Sequence, residues 1–258
     1  MEKNIIRKIK EAVIEVGNLV LNANYDDLEI KNKAGNNNIA TNYDILVQKK
    51  LKQSLLELIP SAIFTGEEGN TINYSDSEYR FIVDPIDGTT NFSRNLKLSA
   101  ISVALLKEET PIVGICYNPY TKELFEAEKG KGAFLNGKRI YVSDKKLKNG
   151  IVFCGCAPYY DNLRKRSLDI QRKFALVASD FRRFGSSVIE LCNIACGRAE
   201  LFFELKLMPW DYAAASLIIQ EAGGCIKTID GEDIQYSKPT SIIATNNTED
   251  YFKYIKGE

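Results

Sequence analysis

In the stretch F-I-V-D-P-I-D-G-T-T-N-F-S-R (81–94), two carboxylates three residues apart close an apolar run, and a glycine and two threonines follow. Phe81 to Val83 have the pattern of a buried strand ending at Asp84. Pro85 has no N–H for a sheet ladder, so the chain is expected to turn there, with Asp84 and Asp87 on either side. Gly88, Thr89 and Thr90 would then open a short helix or a nest of backbone N–H groups, a site that attracts phosphate. Two acids beside a bound anion would repel it unless cations stand between them. Oxygen donors without imidazole or thiolate point to Mg2+. Taken alone, the stretch reads more readily as an Asp-Gly turn with Asp84 as a strand-end cap than as a metal site.

Two further stretches bear on that choice. F-T-G-E-E-G-N (64–70) places Glu67 and Glu68 side by side after another apolar run, an unfavourable pairing without a counter-charge, although such a pair is commonly a solvated loop. M-P-W-D-Y-A-A-A-S-L-I-I-Q-E-A-G-G (208–224) starts a helix at Asp211 that is too uniformly apolar for a surface position. Asp is also a frequent helix N-cap, so Asp211 alone decides nothing.

Composition narrows the chemistry. The 258 residues contain no histidine, which removes Ser-His-Asp and Cys-His hydrolases, phosphohistidine chemistry and His-ligated zinc together. Thirty-four basic residues balance thirty-four acidic ones with no long basic run, so neither a nucleic acid nor a membrane surface is expected as partner. Six cysteines without a C-x-x-C pair read as buried free thiols of a cytoplasmic protein. The N-terminal segment lacks a signal-peptide or membrane-spanning run; Ile5, Ile9, Val13, Val16 and Val20 instead line one face of an amphipathic helix.

The elements that must position the acids follow from punctuation and periodicity. A second helix is expected from about Thr41 to Leu58, stopped by Pro60. Short strands follow at S-A-I-F, F-I-V-D, S-A-I-S-V-A-L-L-K and P-I-V-G-I-C-Y-N, then a meander with an Asn136-Gly137 hairpin turn. The second half mixes strands at G-I-V-F-C-G, F-R-R-F, E-L-F-F-E-L and near 225 and 242 with helices around 162–177, from Ser186 and from Trp210. This interleaving predicts an α+β chain of layered sheets and helices, a single domain over 1–258 with two lobes meeting near residue 150.

G-E-E, D-P-I-D-G-T-T-N-F and W-D-x-A-A-x-x-x-x-x-x-E-A-G-G, in this order and at these separations, resemble the inositol monophosphatase family of Mg2+-dependent, lithium-sensitive phosphatases. The likeness runs from about Lys33 through Gly224. It implies the layered αβαβα sandwich shared with fructose-1,6-bisphosphatases, a small phosphorylated polyol as substrate, two or three Mg2+ ions and a homodimer. It also implies roles for particular residues. Glu67, Asp84 and the Ile86 carbonyl would bind one metal, and Asp84, Asp87 and Asp211 a second. Thr89 would help to orient the attacking water, while the Gly88 and Thr89 amides, with Thr90 beside them, would hold phosphate. Lys33 and Asp44 match a mobile-loop lysine and its acidic partner near a third, weaker metal, although Asn38 replaces the loop's usual acid. Gly185, Ser186, Ser187 and Glu204 would face the substrate beside Asp211, with Glu204 accepting a hydrogen bond from a hydroxyl. Met208 stands where some members carry histidine or lysine.

Other signals point away from function. C-N-I-A-C-G-R (192–198) has the C-x5-R spacing of cysteine-dependent phosphatases, but Cys192 falls inside an expected helix. G-A-F-L-N-G-K-R (132–139) comes near a Walker A motif, with Arg139 in place of the metal-binding hydroxyl, and the Asn-Gly hairpin accounts for it. R-K-R-S-L-D-I-Q-R-K (164–173) reads as the solvated face of a helix.

Overall fold

The computed structural model describes residues 3–33, 38–69 and 77–246. A small antiparallel hairpin joins β1 (Ile30–Asn32) to β2 (Ile39–Thr41). Seven strands, β3 (Ile63–Gly66), β4 (Tyr79–Asp87), β5 (Ala100–Lys107), β6 (Thr110–Asn118), β7 (Glu123–Glu128), β8 (Gly132–Leu135) and β9 (Lys138–Ile140), pair in chain order as one sheet, antiparallel except at β3–β4. Five later strands, β10 (Ile151–Cys154), β11 (Asp180–Arg182), β12 (Leu201–Leu207), β13 (Cys225–Lys227) and β14 (Thr240–Thr245), form a mixed sheet in the order β11-β10-β12-β14-β13. The helices are α1 (Lys3–Leu21), α2 (Asn42–Leu58), α3 (Thr89–Ser93), α4 (Asp161–Ala175), α5 (Ser187–Ala195) and α6 (Pro209–Glu221).

Strand alternation builds the layers. On β5, Ile101, Val103 and Leu105 face Val13 of α1 and Leu51 of α2, whereas Ala100, Ala104 and Leu106 face α5 and α6. On β12, Phe202 joins that same central core, while Leu201, Phe203 and Leu205 pack against Ile170 and Phe174 of α4. The order is therefore α1/α2, seven-stranded sheet, α5/α6, five-stranded sheet, α4, the αβαβα sandwich expected. The alanines of α6 let it fit between two sheets. Gly114 of β6 gives way to it, since a Cβ there would stand 2.5 Å from the Ala214 carbonyl oxygen.

Thr41 caps α2 rather than beginning it, and the β1–β2 hairpin has too little alternation to be read from sequence. Pro85 does not turn the chain. β4 runs through it to Asp87, and the ladder steps from Asp84 opposite Ser102 to Asp87 opposite Ala100, three residues against two. A bulge needs no donor from proline, which is why the strand survives. The Asn136-Gly137 turn has both residues at positive φ, 49° and 76°, as a two-residue hairpin requires. No helix among the described residues is long and apolar enough to cross a membrane.

Candidate active site

The bulge in β4 brings Asp84 and Asp87 to the mouth of a cleft of about 340 Å3. Asp211, in the first turn of α6, enters from the other half of the chain. One carboxylate oxygen from each of Asp84, Asp87 and Asp211 lies within 4.8 Å of the others, close enough to share a cation. Asp84 is buried and accepts the Ile86 N–H at 3.1 Å; Asp211 accepts the Met208 N–H at 2.7 Å. Burial, then the neighbouring charges of Glu67, Asp87 and Asp211, raises the Asp84 pKa well above the usual carboxylate range. Burial and Asp87 do the same to Asp211. Three acids that raise one another's pKa at this spacing are a donor set for a hard divalent ion, whose charge reverses that repulsion.

Asp87 is held differently. It accepts the Ser186 hydroxyl, the Ser187 hydroxyl at 3.0 Å and the Val188 N–H at 2.9 Å, so the N-terminus of α5 clamps it. Burial still lifts its pKa to about 6 against those bonds. Ser186 also caps α5 by accepting the Ile189 N–H at 3.3 Å. The expected substrate-facing serines thus line the cleft while bonded to Asp87.

Thr89 connects the cluster to α2. Its hydroxyl lies 3.0 Å from Asp44 Oδ1 and 3.1 Å from the Ile86 carbonyl, and with one proton it donates to one of them at a time. Asp44 is fully buried behind Thr89, accepts the Thr41 N–H at 2.8 Å and the Thr41 hydroxyl, and is raised by burial to a pKa of about 6. Gly88 has φ 87°, and a Cβ there would lie 2.9 Å from the Leu98 carbonyl, so the turn that presents the Thr89 and Thr90 amides needs glycine.

Two expectations need correction. Lys33 does not pair with Asp44. Its ammonium donates to Glu67 at 2.7 Å and Glu68 at 2.5 Å, the adjacent acids that required a counter-charge. Burial works against that ammonium, but the two glutamates hold its pKa above the usual lysine value. Glu67 lines the cleft with its carboxylate on Lys33, outside the three-acid cluster. Glu204 is neither an exposed strand-end acid nor a free acceptor. It is buried and accepts N–H groups of Cys156 (3.1 Å), Ala157 (3.1 Å) and Leu205 (2.7 Å), leaving little of its acceptor capacity for a ligand.

The cleft has walls that the motifs did not reveal. Glu190, buried within α5, accepts the N–H groups of Phe184 and Gly185 and fixes the turn before Ser186; an acid inside the otherwise apolar S-S-V-I-E-L-C was its signal. Asn91 ties two segments by donating to the carbonyls of Leu98 (2.8 Å) and Phe184 (2.7 Å). Tyr159, Tyr160, Arg183, Lys206 and Trp210 also line the cleft. Glu221, from the E-A-G-G motif, lies elsewhere, accepting the N–H groups of Gly130 and Gly132 at 2.7 Å each. Cys192 is buried inside α5 with its thiol pKa raised by burial, and Arg198 pairs with Glu123 at 2.5 Å, so the C-x5-R spacing forms no phosphate loop.

The sequence profile described as the inositol monophosphatase family matches residues 2–256, wider than the span of the motifs. The chain belongs to that family. An inositol-1-monophosphatase of Caulobacter vibrioides is 39% identical over 222 residues, covering 83% of this chain and 85% of that protein. The Nus factor SuhB of Escherichia coli is 32% identical over 238 residues, covering 91% and 88%. The crystal structure of extragenic suppressor protein suhB from Bartonella henselae superposes with a TM-score of 0.91 at 31% identity, covering 98% of each chain. Relatives of this chain thus carry the name of an inositol-1-monophosphatase, at 39% identity, and of a Nus factor, at 32%.

Proposed function

We propose that this chain is a Mg2+-dependent phosphatase that hydrolyses a small polyol phosphate monoester, most simply myo-inositol monophosphate, by direct attack of water. The observation that carries the reading is the cluster of Asp84, Asp87 and Asp211, beside a threonine whose hydroxyl is bonded to a buried acid. A silent relative would have no reason to keep mutually repelling acids at such a cost.

In this reading, Glu67, Asp84 and the Ile86 carbonyl would hold one ion, and Asp84, Asp87 and Asp211 would hold a second. Bound Mg2+ supplies charge neutralisation of the phosphate and a water acidic enough to lose its proton near neutral pH. The protein does the rest. Thr89 Oγ1, when it donates to Asp44, turns its lone pairs to the cleft as an acceptor that orients the attacking water. The Gly88 and Thr89 amides hold the phosphate, with Thr90 at its edge. Ser186, Ser187 and the Val188 N–H fix the Asp87 rotamer, and Gly185 and Glu204 shape the substrate side. Lys33 holds Glu67 by an ion pair, and with Asn38 in the loop a third ion would be held weakly. The whole chain acts as one domain whose two lobes each supply part of the site, as a cytoplasmic homodimer. Within the family, fructose-1,6-bisphosphate, NADP and 3'-phosphoadenosine-5'-phosphate are the alternative substrates.

The name of the Escherichia coli relative supports a second reading, a non-catalytic regulator. Phosphate release from a panel of monoesters, with and without Mg2+ and in 18O-labelled water, separates the two. The phosphatase reading expects Mg2+-dependent release, with the label in phosphate after one turnover and with Cys192→Ser active. Absence of release from every ester would leave the regulator.

A further inference from the structure

The Phe184 peptide, just after β11, is gripped from both sides. Glu190 of α5 accepts its N–H, and that of Gly185 at 3.3 Å, while Asn91 of α3 donates to its carbonyl at 2.7 Å. The same Asn91 nitrogen donates to the Leu98 carbonyl at 2.8 Å, so carbonyls from the two halves of the chain meet on one amide group. The Phe184 ring is fixed as well, edge-on to Phe153 with ring centres 4.9 Å apart. The loop that delivers Leu98 holds two non-glycine residues, Asn95 and Lys97, in the left-handed region at φ 52° and 60°, a conformation that persists where the surroundings impose it. Gly185 has φ 75°, and a Cβ there would stand 3.3 Å from the Asn91 nitrogen; a Cβ on Gly88 would stand 3.3 Å from the Gly185 carbonyl oxygen. Asn91, Gly185 and Gly88 therefore interlock. Ser186 follows directly, and its hydroxyl donates to Asp87. Asn91 is buried, and its side-chain bonds go to carbonyls rather than to any acid of the cluster.

We infer that Asn91 is a positioning residue for the cation site: by holding the Phe184 carbonyl it fixes the turn from which Ser186 holds Asp87, and it thereby sets the affinity of the Asp84–Asp87–Asp211 cluster for a divalent ion. Glu190 holds the same peptide from its other side, so the two act on one turn. The inference rests on the phosphatase reading for the kind of ion that the cluster binds. The link is rotamer freedom. Asp87 must keep one rotamer to aim an oxygen at the other two acids, and a loosened turn leaves that carboxylate to be ordered each time an ion binds.

The test titrates Mn2+, which suits the same oxygen ligands as Mg2+, into the protein with inorganic phosphate present. The bound fraction is read, without turnover, from the loss of the free ion's electron spin resonance signal. Asn91→Ala is expected to raise the Mn2+ dissociation constant about tenfold, the value of one lost hydrogen bond. Asn91→Ser, which keeps a hydroxyl donor, should fall between alanine and wild type and serves where the alanine variant does not fold. Asn91→Asp should also bind more weakly, although its added charge by itself would attract the ion. Glu190→Leu should weaken binding likewise, whereas Glu190→Gln, which keeps an acceptor oxygen, should bind as wild type does. Phe174→Leu, in the α4 layer, is the control that lowers stability away from the cleft. Wild-type affinity in the Asn91 variants, or an equal loss in Phe174→Leu, overturns the inference. Phosphate release, assayed separately with Mg2+, tells it apart from the phosphatase reading. Release with unchanged Mn2+ affinity in the Asn91 variants leaves the phosphatase and removes the positioning role; weakened affinity without release from any ester does the reverse. A wild-type protein that binds no Mn2+ removes both.

Discussion

Asp84 and Asp211 on one side of the cleft, and Glu204 on the other, are all carboxylates sheltered from water, yet they are built in opposite ways. Asp84 and Asp211 each accept one backbone N–H and otherwise face each other and Asp87. Glu204 accepts three backbone N–H groups and thereby holds the 155–157 turn against β12. A sheltered acid saturated by backbone donors has its charge solvated by the fold. An acid left with one donor and other acids for company has a charge that only a cation can satisfy. Asp87 belongs to both groups, since α5 clamps it while it faces the cluster. The number of fixed donors, more than burial, separates acids that shape this cleft from acids that act in it.

The largest effect should come from removing the charge of Asp84. In Asp84→Asn, Mg2+-dependent phosphate release is expected to fall on the order of a thousandfold or more, the equivalent of several kcal/mol of metal-assisted stabilisation. In chelator, the same variant should melt at the wild-type temperature or above it, because an amide does not repel Asp87 and Asp211. Thermal scans with and without Mg2+ check both halves. A variant that unfolds in chelator would place Asp84 among the acids that build the fold, and the contrast would collapse.

Glu204→Ala should act in the other direction, on stability before chemistry. It strips three N–H groups, those of Ala157 and Leu205 buried and that of Cys156 part-buried, of their acceptor, and unsatisfied buried groups cost about 1–3 kcal/mol each. Partial relaxation and water entry bring the expected loss to about 3 kcal/mol in urea unfolding, with Glu204→Gln between alanine and wild type because it keeps one carbonyl acceptor. Unchanged stability with selective loss of polyol ester hydrolysis would return Glu204 to the substrate, as its position after an apolar strand first suggested.

The contrast also explains what sequence could and could not reveal. Asp84, Asp87, Thr89 and Asp211 were legible because each sits at the end of an element that periodicity marks, within motifs whose spacing is specific. The layering was legible because strands and helices interleave and α6 is too apolar for a surface helix, whereas the αβαβα order came with the family resemblance. Donor counts were not legible. The three N–H groups on Glu204 come from residues 156, 157 and 205, and the clamp on Asp87 comes from residues about a hundred positions away. Lys33 was assigned to Asp44 by motif correspondence, but the fold brings β3's end to it instead, and two adjacent glutamates attract an ammonium more strongly than an aspartate already bonded to Thr41 and Thr89. Pro85 misled because a bulge tolerates what a regular ladder does not.

Glu190 sharpens the rule at its boundary. It is 3% exposed, and its two backbone bonds, from Phe184 and Gly185, both fall on the single oxygen Oε1. Burial outweighs those bonds and lifts its pKa from the ordinary 4.5 to about 8. Between these values the folded protein keeps a proton that the unfolded chain has released. Stability therefore falls as pH rises, by at most about 1.4 kcal/mol per pH unit for one group. The contribution is complete below pH 4.5 and lost above about pH 8. Glu190→Gln mimics the protonated carboxyl at every pH, so its unfolding free energy minus that of the wild type should grow steadily between pH 5 and pH 8. Urea unfolding of both proteins in chelator at each pH gives the difference, in which the titration of the other acids is common to both and cancels. Parallel curves would mean that two bonds on one oxygen suffice to keep a buried carboxylate charged, and would lower the donor count at which an acid counts as satisfied by the fold.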